Sequence, residues 1–400
     1  MKDLADLLPS VSQDPTDPGF ASNPYDRYAE WRALGDFVYW TDYGLPVATT
    51  HAAVMSVLRH PSMGRAAPDD NPAPFVSDMP AFNALEKHSL LEIEPPDHTR
   101  LRRVAMTPFS GPQIALVAPR ISRFADQLID AFPAGPFDLI AHYAKPLAAL
   151  TITDFLGVDT GMADQLQHWS NKMVAMYQAR RDTTVEREAE DAARAFTAYI
   201  TEAVSQRGDE PQGDFLTQLV AVQRSGGLSR EEVVSTAILL LNAGHEATVH
   251  AVGNAVPLLL GFENRSDALS PDGIAGTVEE CLRYKPPLHL FKRYVYAPTR
   301  IEDVQFAEGT EIGCLLASAS RDDAVWPDGG KFDPFRNRIR HAAFGAGLHA
   351  CLGAALARLE LQIALPVLFA RWPDLRLAEE PRVANLYHFH GYERLMVTVK

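Results

Sequence analysis

Between Val233 and Val256 the chain is apolar on nearly every side of a helical pitch. A helix of that kind offers no face to water, so it must run inside a large core. Ser229 and Glu232 form an S-x-x-E capping box ahead of the apolar run. From there the helix is expected to reach about Gly261, roughly 48 Å at about 1.5 Å per residue. Its middle reads Asn242-Ala243-Gly244-His245-Glu246-Ala247-Thr248. A glycine inside a helix costs about 1 kcal/mol, and a buried carboxylate costs more unless paired or hydrated. Two readings stay open. One is a partnered polar group with a glycine for close packing. The other is that Ala243 and Gly244 clear space for something pressed against the helix, with Glu246 as a proton-handling group beside it.

The rest of the chain fits a mainly α protein with small β-sheets, an α+β class. Residues 1–24 carry four prolines and read as a surface arm. Tyr25 to Trp31 reads as a short helix, with strand signals at Phe37–Trp40 and Leu45–Ala48. Five prolines between Pro61 and Pro80 predict a long loop, and residues 61–97 are expected to be mobile. Helical stripes follow at Leu116, Ile121, Phe124, Leu128 and Ile129, and at Phe196, Tyr199, Ile200, Ala203 and Val204. The run Glu186-Arg187-Glu188-Ala189-Glu190-Asp191 reads as a solvated helix face. Strand signals return near Arg293–Tyr296, Thr310–Leu316 and Leu395–Val399. One cooperative unit over 1–400 is expected.

The net charge of −14 argues against a nucleic-acid binder driven by global charge. The longest clean apolar stretch, Ala237 to Leu241, is far short of the roughly 18–20 residues of a membrane span. The N-terminus lacks the apolar core of a signal peptide. A soluble cytoplasmic protein is the expectation. Three cysteines, Cys281, Cys314 and Cys351, form no disulfide framework and no C-x-x-C pair.

Cys351 stands apart. It lies in Phe344-Gly345-Ala346-Gly347-Leu348-His349-Ala350-Cys351-Leu352-Gly353, and a helical stripe of Leu352, Leu356, Leu359 and Ile363 follows. A thiol at a helix start has its pKa lowered and can serve as nucleophile, redox thiol or metal ligand. A small buried apolar residue is the bland alternative.

This string resembles the haem-binding loop of the cytochrome P-450 family, F-x-x-G-x-[HR]-x-C-x-G, at Phe344, Gly347, His349, Cys351 and Gly353. Glu280 and Arg283 match the family's E-x-x-R, and Ala243-Gly244-His245-Glu246 is similar to its A-G-x-[DE]-T. Pro95-Pro96-Asp97-His98, with Arg102 and Arg103 beyond, resembles a fourth family segment.

The resemblance implies a triangular prism-like single domain, with haem b between the long helix and the cysteine-loop helix. Cys351 would be the thiolate ligand, donating electron density that favours O–O bond cleavage. Phe344 would shield the sulfur, and Gly347 and Gly353 would keep the loop close. Ala243 and Gly244 would lie against the haem. His98, Arg102, Arg293 and His349 would bind the propionates. Glu280, Arg283 and Arg336 would form a structural network. Glu246, Ala247 and Thr248 would occupy the proton path, where the family carries threonine directly after the acid. Ala247 departs from that pattern. An ordered water or substrate hydroxyl, Thr248 reached through a helix distortion, or peroxide-driven chemistry would each answer it.

The implied reaction is insertion of one oxygen atom from O₂ into a small-to-medium hydrophobic substrate. The electrons would come from a ferredoxin or flavodoxin with its reductase. The alternative is a peroxygenase or other haem-thiolate enzyme; a non-catalytic haem protein is more remote. The substrate pocket would draw on Phe75, Val76, Met79, Phe82, Leu85, Leu90, Met173, Val174, Tyr177, Leu239, Ala243 and Ala247. Leu288, His289, Leu290 and Phe291 would close one side and Phe389 the other. Residues 334–359 hold four arginines and no acid, a local +4. Arg100, Arg103, Arg338, Arg340 and Arg358 are therefore expected to help dock an acidic redox partner. His388 and His390 read as rim or surface residues rather than metal ligands.

Overall fold

The computed structural model describes residues 4–68, 78–177, 181–207, 213–337 and 340–399. Phe75, Val76 and Arg338 lie outside the described residues. The chain forms two compact units: residues 1–73, 250–351 and 379–395 make the first, and residues 74–249, 352–378 and 396–400 the second.

The first unit is built on a six-stranded sheet. Its order is Ser10–Val11, Phe37–Trp40, Leu45–Ala48, Glu311–Leu315, Leu290–Val295 and Met63–Gly64. Phe37–Trp40 and Leu45–Ala48 pair antiparallel, Val38 opposite Val47. Leu45–Ala48 then runs parallel to Glu311–Leu315, with Val47 opposite Gly313. The alternation of strand side chains divides the core in two. Phe37, Ile312 and Cys314 pack with Val54, Val57 and Leu58 of helix His51–Arg59. Val38, Trp40 and Leu315 pack with Phe20, Tyr28 and Trp31. Gly313 has to be glycine, because a Cβ there would stand 2.7 Å from Val47 Cγ1. The segment read as an arm is partly ordered: it forms helices Leu4–Leu7 and Pro18–Ser22, the second capped by Asp17 accepting from the Phe20 amide. Pro18 at the helix start removes an N–H that would have had no partner, so this proline begins a helix instead of preventing one.

The second unit is helical, with a three-stranded sheet of Arg376–Leu377, Met396–Thr398 and Phe137–Asp138. Helix Ala118–Asp130 buries Ile121, Phe124, Ala125 and Ile129, whereas Leu116 of the expected stripe is exposed. Helix Thr183–Ser205 buries Phe196, Ile200 and Val204. It also buries Glu190, so the acidic run is not a uniformly solvated face. The loop expected over 61–97 contains helices as well, Pro80–Glu86 and the start of Asp97–Ala105.

The long helix runs Arg230–Leu260. Its capping box closes reciprocally: the Glu232 amide donates to Ser229 Oγ at 3.1 Å, and the Ser229 amide to Glu232 Oε2 at 2.8 Å. Residues up to Val249 belong to the second unit, and those from His250 to the first. Among the described residues, no helix is long and apolar enough to cross a membrane.

Candidate active site

The cysteine loop is folded by its own backbone. The Cys351 amide donates to the Phe344 carbonyl at 2.9 Å, and the Gly345 amide to the Ala342 carbonyl at 2.7 Å. Gly347 takes φ +72°, and a Cβ there would lie 2.2 Å from the Leu58 carbonyl oxygen. Only glycine meets both conditions. Gly353 makes no such demand: its φ is −82° and an added Cβ would touch only Phe109, at 3.9 Å. The helix after the loop starts at Ala354, so Cys351 precedes it by a short turn instead of opening it.

Cys351 is the exposed cysteine; Cys281 and Cys314 are buried. Burial pushes the Cys314 thiol up to about 12 and the Cys281 thiol up as well. Neither is a thiolate at neutral pH, which leaves Cys351 as the cysteine suited to hold a metal.

In the long helix, Val233, Ala237, Ile238, Leu241, Val249 and Val252 are buried, but Ala243 is exposed and Gly244, Glu246 and Ala247 are partly so. One stretch of a core helix therefore borders open space. Gly244 does not create that space. A Cβ on it would meet Ile152 Cδ1 at 2.8 Å, so this glycine serves close packing against helix Lys145–Leu156. Ala243 is the residue facing the opening. The chain stays helical from Arg230 to Leu260, with Pro257 inside its last turns, and Thr248 Oγ1 donates to the Gly244 carbonyl at 2.9 Å. That bond commits the Thr248 hydroxyl to the helix backbone one turn earlier. His245 Nδ1 lies 4.0 Å from Glu246 Oε2.

His98 and Arg102 stand one turn apart on helix Asp97–Ala105; His98 is fully buried. Arg293, on strand Leu290–Val295, is buried too, and His349 is partly buried. Within the first unit, an exposed thiol on a cramped glycine loop fits the thiolate ligand of a haem. In the same unit, the buried Arg293 side chain is of the kind that pairs with a carboxylate.

The Glu280–Arg283 network is complete. Arg283 Nε and Nη2 donate to the two Glu280 carboxylate oxygens at 2.7 Å each. Arg283 Nη1 reaches the Ser320 and Gly329 carbonyls, both at 2.8 Å. Arg336 Nε lies 3.6 Å from Glu280 Oε1.

Among the expected pocket residues, Met79, Phe82, Leu85, Leu90, Met173 and Val174 are buried, and Leu239 and Tyr177 are partly buried. Leu290 belongs instead to the aromatic core around Trp40. Phe291 packs beside the Phe37 cluster with Arg65 over its ring. Leu288 and Phe389 form a backbone bridge, so they are neighbours and do not close opposite sides.

Of the expected docking arginines, Arg100 is already engaged with Glu232 and Asp97, the latter at 3.0 Å. That ties its charge to the cap of the long helix. Arg103 and Arg340 are exposed and Arg358 partly so.

His390 is not a surface residue. Its ring stacks on His289 at 4.4 Å, and Nε2 pairs with the Ser22 carbonyl at 3.2 Å. His388 Nε2 pairs with Tyr43 Oη at 3.0 Å. Burial lowers His390 to about 3 and His388 to about 4, so both imidazoles are neutral. Among the described residues, no group of three or more His, Cys, Asp or Glu side chains could hold a metal ion.

The family model described as "Cytochrome P450" matches residues 274–373. The Biotin biosynthesis cytochrome P-450 of Bacillus subtilis is 31% identical over 95% of this chain and 97% of its own length. The Vitamin D(3) 25-hydroxylase of Pseudonocardia autotrophica is 33% identical over 90% of this chain and 89% of its own. A P-450 crystallised with an acyl carrier protein bearing hexadec-9Z-enoic acid superposes with a TM-score of 0.89 at 30% identity, covering 96% of this chain and 100% of that one. A myxobacterial P-450 in complex with myristic acid gives 0.87 at 29% identity, covering 96% and 98%.

Proposed function

Since the chain belongs to the cytochrome P-450 family and carries that fold and its thiolate-bound haem, we propose that Cys351 is the haem ligand of a monooxygenase acting on a hydrophobic substrate. The single observation that carries this reading is the loop around Cys351, an exposed thiol held by the Phe344 carbonyl and pressed close by Gly347.

Bound haem supplies the oxidative chemistry, activating O₂ with two electrons and two protons. The protein's residues do the rest. Cys351 anchors the iron through its thiolate, and Phe344 screens the sulfur from water. By the family resemblance, His98, Arg102, Arg293 and His349 would be the residues to hold the propionates by charge-assisted hydrogen bonds. Ala243 leaves room at the reacting face. Glu246, partly open on that same stretch of helix, moves protons inward at its carboxylate. Ala247 brings no hydroxyl, and Thr248 is held by the Gly244 carbonyl. A water or a substrate hydroxyl therefore completes the relay.

Relatives named as monooxygenases and hydroxylases favour O₂ over peroxide as oxidant. Their names include a Mycinamicin IV hydroxylase/epoxidase, a Steroid C26-monooxygenase and a Vitamin D(3) 25-hydroxylase, and two solved relatives were crystallised with fatty acyl chains. Steroids and fatty acyl chains are hydrophobic, in keeping with the buried Met79, Phe82, Leu85, Leu90 and Val174. Electrons arrive from a ferredoxin or flavodoxin. The test is a panel of steroids, vitamin D(3) and fatty acids screened by haem spin-state shift. Hits are then turned over with NADPH, reductase and ferredoxin, or with hydrogen peroxide. Product from the ferredoxin system supports the reading; product from peroxide alone overturns it.

A further inference from the structure

Helix Pro80–Glu86 begins without a cap of its own. Met79 occupies the capping position and makes no side-chain cap bond. Pro80 has no N–H, so the amides of Ala81 and Phe82 are the first that need partners. They find one far along the chain. Glu190, on helix Thr183–Ser205, accepts the Ala81 amide at 3.1 Å on Oε1 and 3.0 Å on Oε2, and the Phe82 amide at 3.0 Å on Oε2. Its side chain is 8% exposed. The other contact to that carboxylate is Arg194, one turn on and 67% exposed, a pair worth little in water.

The far end of the short helix is tied as well. Tyr177 Oη donates to Glu86 Oε2 at 2.7 Å, and Ser235 Oγ donates to the Leu85 carbonyl at 2.8 Å. Ser235, Leu239 and Ala243 follow at i, i+4 and i+8, so they share one face of the long helix. Ala243 marks where that face opens. The short helix thus sits at the end of the open face, with Phe82 and Leu85 buried beneath it.

We infer that Glu190 is a positioning residue for substrate: it replaces the missing cap and fixes Phe82 and Leu85 at the border of the open face. This rests on the proposed reading that the face receives substrate. The acceptor matters, not the charge. Because Oε2 already takes both amides, the single carbonyl of a glutamine can do the same.

The test uses full-length, haem-loaded protein and three variants, Glu190→Ala, Glu190→Gln and Arg194→Ala. Amide exchange is followed at Ala81 and Phe82, and affinities for imidazole and the bulky azole econazole are read from the haem spectrum. Glu190→Ala is expected to speed exchange at the two amides roughly tenfold or more. It should weaken econazole roughly tenfold and leave imidazole within about twofold. Glu190→Gln and Arg194→Ala should both resemble the wild type. Unchanged exchange in Glu190→Ala overturns the inference. So does equal weakening of both azoles, which marks general damage, and so does Glu190→Gln failing like alanine. If the wild type gave no azole spectrum, the haem reading would fail, while amide exchange would still decide the capping role.

Discussion

Thr248 Oγ1 donates to the Gly244 carbonyl at 2.9 Å, across one turn of the long helix. The hydroxyl next to Ala247 is thereby committed to backbone. One residue along a helix rotates a side chain by about 100°, so Thr248 does not substitute for a threonine at 247.

Ala247→Thr should therefore change the product formed per NADPH oxidised, by about twofold or more. Thr248→Val, which removes a hydroxyl already engaged, should leave the ratio near that of the wild type. Identical ratios in all three proteins would show that position 247 does not limit proton delivery.

Arg283→Lys should be strongly destabilising. The guanidinium serves both oxygens of Glu280 and three carbonyls, those of Ser320, Gly329 and Lys331, while 2% exposed. A lysine offers a single point charge and leaves part of that set unmet. Breaking such a buried pair costs about 3–5 kcal/mol. Urea denaturation of the haem-loaded protein would show it as a lowered midpoint, and an unshifted midpoint would contradict the network.

Two glycines of the cysteine loop separate conformation from packing. Gly345 has φ +63° with nothing within 4 Å of an added Cβ. Gly347 has φ +72° and the Leu58 carbonyl in the way. Gly345→Ala should cost about 1 kcal/mol, and Gly347→Ala more than about 2 kcal/mol. Thermal melts of the two variants give the order; equal losses would mean that the approach to Leu58 is not what requires glycine.

Stability should be highest from about pH 4.5 to 6.5, where two opposing contributions offset one another, and fall as pH rises toward about 8 or drops toward about 3. Burial raises Glu360 to about 8 from 4.5, and among the described residues Oε1 has no hydrogen-bond partner. The folded state keeps this proton longer than the unfolded one. Its contribution is full below about 4.5 and declines as pH rises toward about 8. Glu360→Gln should be the more stable protein at pH 8, on the order of 1–4 kcal/mol. His390 works in the opposite sense. Lowered from 6.5 to about 3, it withholds stability as pH falls through that window. Denaturant midpoints from about pH 3 to about 9 would separate them, since Glu360→Gln leaves the His390 slope alone; parallel profiles for wild type and Glu360→Gln would contradict the first.

What could be read in the sequence was what is local in the chain. The Ser229–Glu232 capping box, the buried long helix, the strands at Phe37–Trp40 and Leu45–Ala48, and the glycine-bound cysteine all depend on residues within a few positions of one another. Partners far apart in the chain were not legible. Glu190 sat in a run of charges that looked like a wet face, and only folding brings it to Ala81 and Phe82. Gly244 is explained by Ile152, and the burial of His390 by His289 and Ser22. Arg100 looked free to meet a partner until Glu232 was placed beside it.

The central claim is that Cys351 is the iron ligand. The most direct measurement is the reduced, carbon monoxide-bound absorption spectrum of the haem-loaded protein and of Cys281→Ser, Cys314→Ser and Cys351→Ser. The account predicts the red-shifted band of a thiolate-ligated haem in the wild type and the first two variants, and its loss in Cys351→Ser alone. A wild type without that band, or a Cys351→Ser protein that keeps it, would contradict the account.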